Sequence, residues 1–304
     1  MPGSEVGGFT PPPDRGDPLD VPAMLGSVAW TVTADAEEFW RATEPYLRAH
    51  RVASTVVLSI VDTLRTRGSG VYGGPAELAW WDDGAGPSAL VVRTPPYRPV
   101  VSAMPPEAAA AWAAGRPRPE RLLGPADAVD HLARAWDATP EVVVAERLHR
   151  LERLRPPPDP TPTRPAGDAD RELLWSWLRA FHHEATPDDP PPPRSAFDAA
   201  IDQGRTVVAA PDGEPVAYAV VSPTTLGTAR IGPVYTRPDK RGRGHGAAVT
   251  AAAVRLAGAR GADEVLLFTD LANPTSNALY ERSGFVGVTD LVDAALVPPA
   301  RKNV

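Results

Sequence analysis

The sequence predicts an α/β protein built as two successive regions, and three observations predict it. Residues 163–304 alternate between the two-residue period of strands and the 3.6-residue period of helices. Residues 27–155 show a similar order of the same elements. Between them runs Pro156–Pro162, PPPDPTP, whose prolines cannot donate to a helix or a sheet ladder, so it reads as an extended, semi-rigid linker.

In the second region, DRELLWSWLRAFHHE at Asp170–Glu184 carries Leu173, Leu174, Trp177, Leu178 and Phe181 at helical spacing, with Asp168 or Asp170 as cap. A polyproline loop, Pro187–Pro193, follows. Thr206–Ala210 and Pro215–Val221 read as strands joined by a Pro211-Asp212-Gly213 turn, and Ala229–Thr236 as another strand. Gly244–Arg260 reads as an alanine-rich helix stopped by Gly261. Glu264–Thr269 is a short apolar strand. Asn273–Ser283 is a helix with Asn at its cap and Pro274 at its first position, ended by Gly284, and a last strand begins at Phe285. In the first region, helices are expected near 35–48 and 52–66, strands near 77–82, 88–94 and 99–103, helices near 105–114 and 125–138, and a strand near 142–148. No repeat is visible in the letters; the shared order alone suggests a degenerate second copy of one fold.

Composition narrows the function classes. A chain of 304 residues with 43% apolar residues can bury a core in each region. The absence of cysteine removes disulfides, thiolate zinc sites and a cysteine nucleophile, and fits a reducing cytoplasm. Residues 1–26 are rich in Gly and Pro, carry no signal-peptide pattern and read as a disordered tail; no apolar stretch approaches the roughly 20 residues of a membrane span. No His/Asp/Glu set has metal-ligand spacing, so no metal is expected. A formal net charge of −7 argues against nucleic acid as partner and makes the cationic cluster Arg237, Lys240, Arg241 and Arg243 informative.

That cluster flanks Arg241-Gly242-Arg243-Gly244-His245-Gly246, set between a strand and a helix. Alternating glycines let the backbone turn tightly with its amides pointing inward, and the helix adds its unpaired amides and the positive end of its dipole. The arrangement suits a pyrophosphate. A P-loop would need GxxxxGK[ST], which is absent. A dinucleotide fingerprint matches by letter at Gly242, Gly244 and Ala247, but its glycines should follow the strand directly, and here Arg237–Arg241 intervenes.

The segment VYTRPDKRGRGHG, Val234–Gly246, resembles the signature of the GNAT superfamily of N-acetyltransferases: a strand end, a basic turn, then Arg-x-x-Gly-x-Gly. NPTSNALYERSGF, Asn273–Phe285, resembles that superfamily's second motif, with Ser276 where alanine is usual. The strings RIGPVYT at Arg230–Thr236 and LFTDLANPTSN at Leu267–Asn277 are similar to actinobacterial-type members of this length, whose N-terminal half is a divergent GNAT-like copy. The resemblance implies an α/β fold with a mixed, mostly antiparallel sheet flanked by helices, in two tandem copies: a degenerate one over 27–155 and a catalytic one over 163–304. Acetyl-coenzyme A would be the acetyl donor, and the acceptor a small-molecule or peptide amine. An acetyl-CoA-binding sensor or adaptor without turnover is the alternative. The first region has no Arg-x-x-Gly-x-Gly and is not expected to bind coenzyme A.

The resemblance also assigns residues. The strand end Val234, Tyr235 and Thr236 would splay from its neighbour and pair with the pantetheine arm. Arg241 and the amides around Gly242, Gly244 and Gly246 would take the pyrophosphate. Asn273 has two credible jobs, helix cap and pantetheine neighbour. Tyr280 is the candidate catalytic acid, since a phenol of pKa about 10 lies close enough to a thiol's, about 8.5, to protonate the departing sulfur; a ring packed on Leu279 and Phe285 is the plainer reading. For the base, His182, His183, Glu184 and Asp270 are open, as is relay through water. Trp175 and Trp177 read as core or interdomain packing rather than substrate contacts, and His245 as present for its backbone amide alone.

Overall fold

A computed structural model describes residues 28–158, 160–186, 189–190 and 193–299. The tail read at 1–26, and Pro187, Asp188, Pro191 and Pro192 of the proline loop, lie outside the described residues.

The first half runs β1 (Ala29–Thr33), α1 (Ala36–Ala49), α2 (Thr55–Arg67), β2 (Glu77–Asp82), β3 (Pro87–Arg93), β4 (Val100–Val101), α3 (Pro106–Ala113), β5 (Arg121–Pro125), α4 (Ala126–Ala135) and β6 (Thr139–Leu151). The second runs β7 (Thr163–Pro165), α5 (Arg171–Ala185), α6 (Arg194–Asp202), β8 (Thr206–Ala209), β9 (Ala217–Val221), β10 (Thr228–Thr236), α7 (His245–Ala259), β11 (Glu264–Asp270), α8 (Pro274–Arg282) and β12 (Phe285–Val297). The order of strands and helices is identical in the two halves. Four elements go beyond the sequence reading: β1, β5, β7 and α6. The helix expected from 125 begins only at Ala126, because Arg121–Pro125 is a strand whose closing proline turns the chain into the helix.

The strands form one mixed sheet in the order β1-β2-β3-β4-β5-β12-β6-β11-β10-β9-β8-β7. Neither half completes its own sheet. β12, from the end of the chain, enters between β5 and β6, pairing with β5 from Leu291↔Pro125 to Ala295↔Arg121. β6, from the first half, enters between β12 and β11, pairing antiparallel with β11 from Leu266↔Arg150 to Asp270↔Glu146. The two exchanged strands pair along their whole length, from Phe285↔Leu151 to Val297↔Thr139. The linker at 156–162 divides the chain but not the sheet.

Each half buries apolar side chains on both sheet faces. In the first, Trp81, Val91, Trp112 and Leu132 lie on one side and Phe39, Leu58, Leu78 and Leu90 on the other. In the second, α7 packs Val249, Ala253 and Ala257 on Ala219, Ile231 and Leu267, while α5 and α6 pack Leu174, Trp177 and Phe197 on Val208 and Tyr218. Small residues along α7 let it lie close to the sheet and aim its N-terminus at the end of β10. Trp177 packs 6.2 Å from Tyr218 and 6.1 Å from Tyr235 in the core, as the spacing predicts, and the partly buried Trp175 packs 5.4 Å from Phe197 at its edge.

Candidate active site

β10 and β11 start as parallel neighbours and then part. Their ladder covers Thr228–Arg230 against Glu264–Leu266. Beyond it, β10 keeps pairing with β9 through Val234↔Ala219, Tyr235↔Tyr218 and Thr236↔Ala217, while β11 pairs with β6. The edge of β10 from Ile231 to Thr236 that faces β11 is therefore left without a strand partner, and a cavity of about 380 Å³ opens in the gap.

Past Thr236 a short 3₁₀ turn, Pro238–Lys240, leads into the glycine turn. Gly242 and Gly244 both take left-handed backbone (φ 77° and 82°), which L side chains rarely adopt. Gly244 caps α7 without a side-chain bond, and the first intrahelical bond is Ala248 N–H to Gly244 O, so the amides of His245, Gly246 and Ala247 have no helical acceptor. A Cβ built on Gly242 or Gly244 would meet nothing within 4 Å, whereas one on Gly246 would press on Leu279 at 3.3 Å. Arg241 holds the turn: its Nε donates to Thr236 O at 3.1 Å and its guanidinium reaches Glu184 at 2.8 Å. His245 does more than lend an amide. Its Nδ1 lies 2.7 Å from the Thr161 hydroxyl and pins the linker to this turn, and burial, with Arg243 and Lys240 nearby, holds its pKa below the ordinary range.

α8 supplies the opposite wall. Asn273 caps it, with Oδ1 accepting from Ser276 N–H at 3.0 Å, and also lines the cavity, so the capping half of its two jobs is seen directly. About two turns further on, Tyr280 lies 8% exposed, edge-on to Phe285 at 6.0 Å, and lines the same cavity. Its hydroxyl makes no hydrogen bond among the described residues. Burial pushes its pKa up, so the phenol keeps its proton.

The four candidate bases separate. Both ring nitrogens of His182 are engaged, with Asp189 O and the Thr186 hydroxyl, each at 2.9 Å. His183 is exposed and off the cavity wall. Glu184 reaches the wall tied to Arg241. Asp270 lies on the wall, its Oδ1 accepting from Ala272 N–H at 2.8 Å.

The sequence reading missed the contribution of the first half. Arg98 and Arg121 line the cavity and bracket Asp293 of β12, which is 3% exposed; Arg98 also reaches Asp189 at 2.5 Å. Glu146 of β6 lines it as well, with no hydrogen bond and no ion pair within 4 Å among the described residues. Burial raises its pKa against the pull of Arg98 and Arg230. Among the described residues no group of three or more His, Asp or Glu stands together as a metal site, and no helix is long and apolar enough to cross a membrane.

The unpaired amides, the open left-handed glycines and the strand edge fit an extended ligand ending in a pyrophosphate. Sequence comparison agrees with that shape. The acetyltransferase (GNAT) family profile matches residues 171–285. Mycothiol acetyltransferase of Salinispora tropica is 48% identical over 63 residues, 19% of this chain and 20% of that protein, so the match spans about a fifth of the relative's length. Among solved structures, a GNAT-family acetyltransferase from Colwellia psychrerythraea superposes with a TM-score of 0.57 at 11% identity, covering 88% of this chain and 98% of its own. A tandem GNAT protein from the clavulanic acid biosynthesis pathway does so with a TM-score of 0.54 at 15% identity, covering 87% and 97%. At those identities the likeness is one of fold, and it runs across both halves. Residues 171–285, with the glycine turn and the α8 motif inside them, belong to a GNAT-superfamily acetyltransferase domain related to mycothiol acetyltransferase.

Proposed function

We propose that this protein is an N-acetyltransferase that moves an acetyl group from acetyl-coenzyme A to a small-molecule or peptide amine, by direct attack in a ternary complex. The chain is then two tandem GNAT-like copies, 27–155 and 163–304, of which only the second binds the donor. The single observation that carries the reading is the cavity in the β10–β11 gap, with the unpartnered Tyr280 hydroxyl on one wall and the free edge of β10 on the other.

Acetyl-coenzyme A brings an acyl group activated as a thioester, whose departing thiolate needs only modest help. The free edge at Val234, Tyr235 and Thr236 would hold the pantetheine arm as an added strand, with Asn273 beside it. The α7 amides and the turn through Arg241, Gly242, Gly244 and Gly246 would hold the pyrophosphate. Tyr280 Oη then donates its proton toward the sulfur. The test is binding followed by turnover. Acetyl-coenzyme A should bind in the micromolar range, about −8 kcal/mol, and NAD should not raise the melting temperature. Release of coenzyme A across a panel of amine classes then identifies the acceptor. Stabilisation by NAD alone rejects the reading, and binding without release from any amine favours a sensor.

A further inference from the structure

We infer that Glu146, carried into the second half's sheet by the exchanged strand β6, is the group that takes the proton from the acceptor's ammonium, so that the catalytic site is assembled from both halves of the chain. The inference rests on the acetyl-transfer reading above and names the base that reading lacks.

Three observations converge on Glu146. Its place is fixed: β6 is held between β11 and β12, with Glu146 opposite Asp270 on one side and Leu291 on the other. It lines the cavity that Tyr280 and Asn273 line. Its carboxyl has no protein partner, with neither a hydrogen bond nor an ion pair within 4 Å among the described residues. Three other carboxylates of that wall are ion-paired, Asp293 with Arg98 and Arg121, Asp189 with Arg98 and Glu184 with Arg241, and the fourth, Asp270, accepts from Ala272 N–H.

The neighbours explain what such a group would bind. The charged groups facing Glu146 are Arg98 from the β3–β4 loop, Arg230 from β10, Asp270 from β11 and Asp293 from β12. Asp270 is its cross-strand partner, and like charges placed opposite each other destabilise a sheet. An ammonium arriving between the two carboxylates relieves that repulsion. Arg230 offsets part of the charge; it is half-buried, and its Nη1 donates to Thr55 O of α2 at 3.1 Å. A desolvated carboxyl with a raised pKa is also a better proton acceptor than a solvated one.

The proton balance closes. One ammonium proton passes to Glu146, directly or through one water, and then to solvent. The freed nitrogen attacks the thioester carbonyl and the carbon–sulfur bond breaks. The nitrogen's second surplus proton offsets the one Tyr280 gives to the sulfur.

The test compares the full chain with Glu146→Gln and with Glu146→Asp, which keeps the charge. Without turnover, melting temperature is followed against pH. A carboxyl held above its ordinary range favours the folded chain while protonated and penalises it once ionised. Glu146→Gln should therefore gain on the parent as pH rises from the ordinary carboxylate range through the raised value, and hold that gain above it. With turnover, Glu146→Gln should lose about 10²–10⁴-fold near neutral pH at unchanged acetyl-coenzyme A affinity. That deficit should shrink as pH approaches the amine's own pKa, about 10.4 for a lysine-like acceptor. Glu146→Asp should retain the shape of the parent's pH profile at a reduced rate. A flat stability difference, or a Glu146→Gln rate and profile equal to the parent's, overturns the assignment while the acetyl-transfer reading stands. Release of coenzyme A by no chain, the parent included, overturns both.

Discussion

The two halves share one order of elements, yet the turn before the equivalent helix is built differently in each. In the second half, the chain passes from β10 to α7 through Gly242 and Gly244, and the amides that open α7 are free. In the first, it passes from β4 to α3 through Ser102-Ala103-Met104-Pro105 and enters the helix at Pro106. Prolines at the cap and first position remove two of the donors an anion would need. The strand gap is closed as well: a Cβ on Gly124 of β5 would fall 2.4 Å from the Val101 side chain of β4. The space beside α3 is filled by Trp30, Trp81 and Trp112. A shared fold alone therefore does not make the proposed donor site; among the described residues only the second half combines free helix amides with an unpaired strand edge.

The largest effect that sharpens this contrast concerns the Tyr280 hydroxyl, proposed above as the acid. Tyr280→Phe keeps the ring on Phe285 and removes only the unpartnered Oη. It should lower kcat by about 10²-fold, the lower end for acid–base assistance, at nearly unchanged acetyl-coenzyme A affinity. Steady-state kinetics with the best acceptor checks this; unchanged kcat with chemistry rate-limiting would make Tyr280 a packing residue.

Next in size is the glycine turn. Gly244→Val places a β-branched residue at φ 82°, a strain of about 1–3 kcal/mol that the turn relieves only by moving its amides. Affinity for acetyl-coenzyme A should fall about 10- to 100-fold, with no second class of sites left behind. Calorimetry on the parent should give one coenzyme A per chain, and two would break the contrast between the halves.

Much of this site was legible in the sequence because its signals are local. Gly242, Gly244, Asn273-Pro274 and Tyr280 lie in short stretches whose backbone demands can be read from neighbouring letters, and α7 and α8 fall within a residue or two of expectation. The strand exchange was not legible. Pairing of β12 with β5 joins residues more than 160 positions apart and leaves no periodic trace in either segment. Glu146 was missed for that reason: a charge in a strand reads as a solvent-facing position until the partner strands on both sides are known. β1 and β7 are too short, and β7 too proline-bearing, to rise above the loops around them. His245 misled differently, since its partner Thr161 lies 84 residues away in the linker.

The smallest effect separates the two jobs of Asn273. Its Oδ1 accepts from Ser276 N–H at 3.0 Å, a cap worth about 1 kcal/mol, while its amide nitrogen makes no hydrogen bond among the described residues and is free to meet a ligand. Asn273→Asp preserves the accepting oxygen and replaces the donor, so the fold should keep its stability. Asn273→Ala removes both groups and should cost about 1 kcal/mol in denaturant unfolding. If Asn273 also touches the pantetheine arm, the Asp variant should bind acetyl-coenzyme A several-fold more weakly although its stability is intact. Neutral hydrogen bonds contribute about 0.5–1.5 kcal/mol, so the expected loss is about 2- to 12-fold. A carboxylate at this position also adds repulsion with Asp270, whose backbone carbonyl already accepts from Asn273 N–H at 3.0 Å. Equal affinity for parent and Asp variant would leave Asn273 as a cap alone, and the pantetheine arm would then depend on the β10 edge, the feature that the first half lacks.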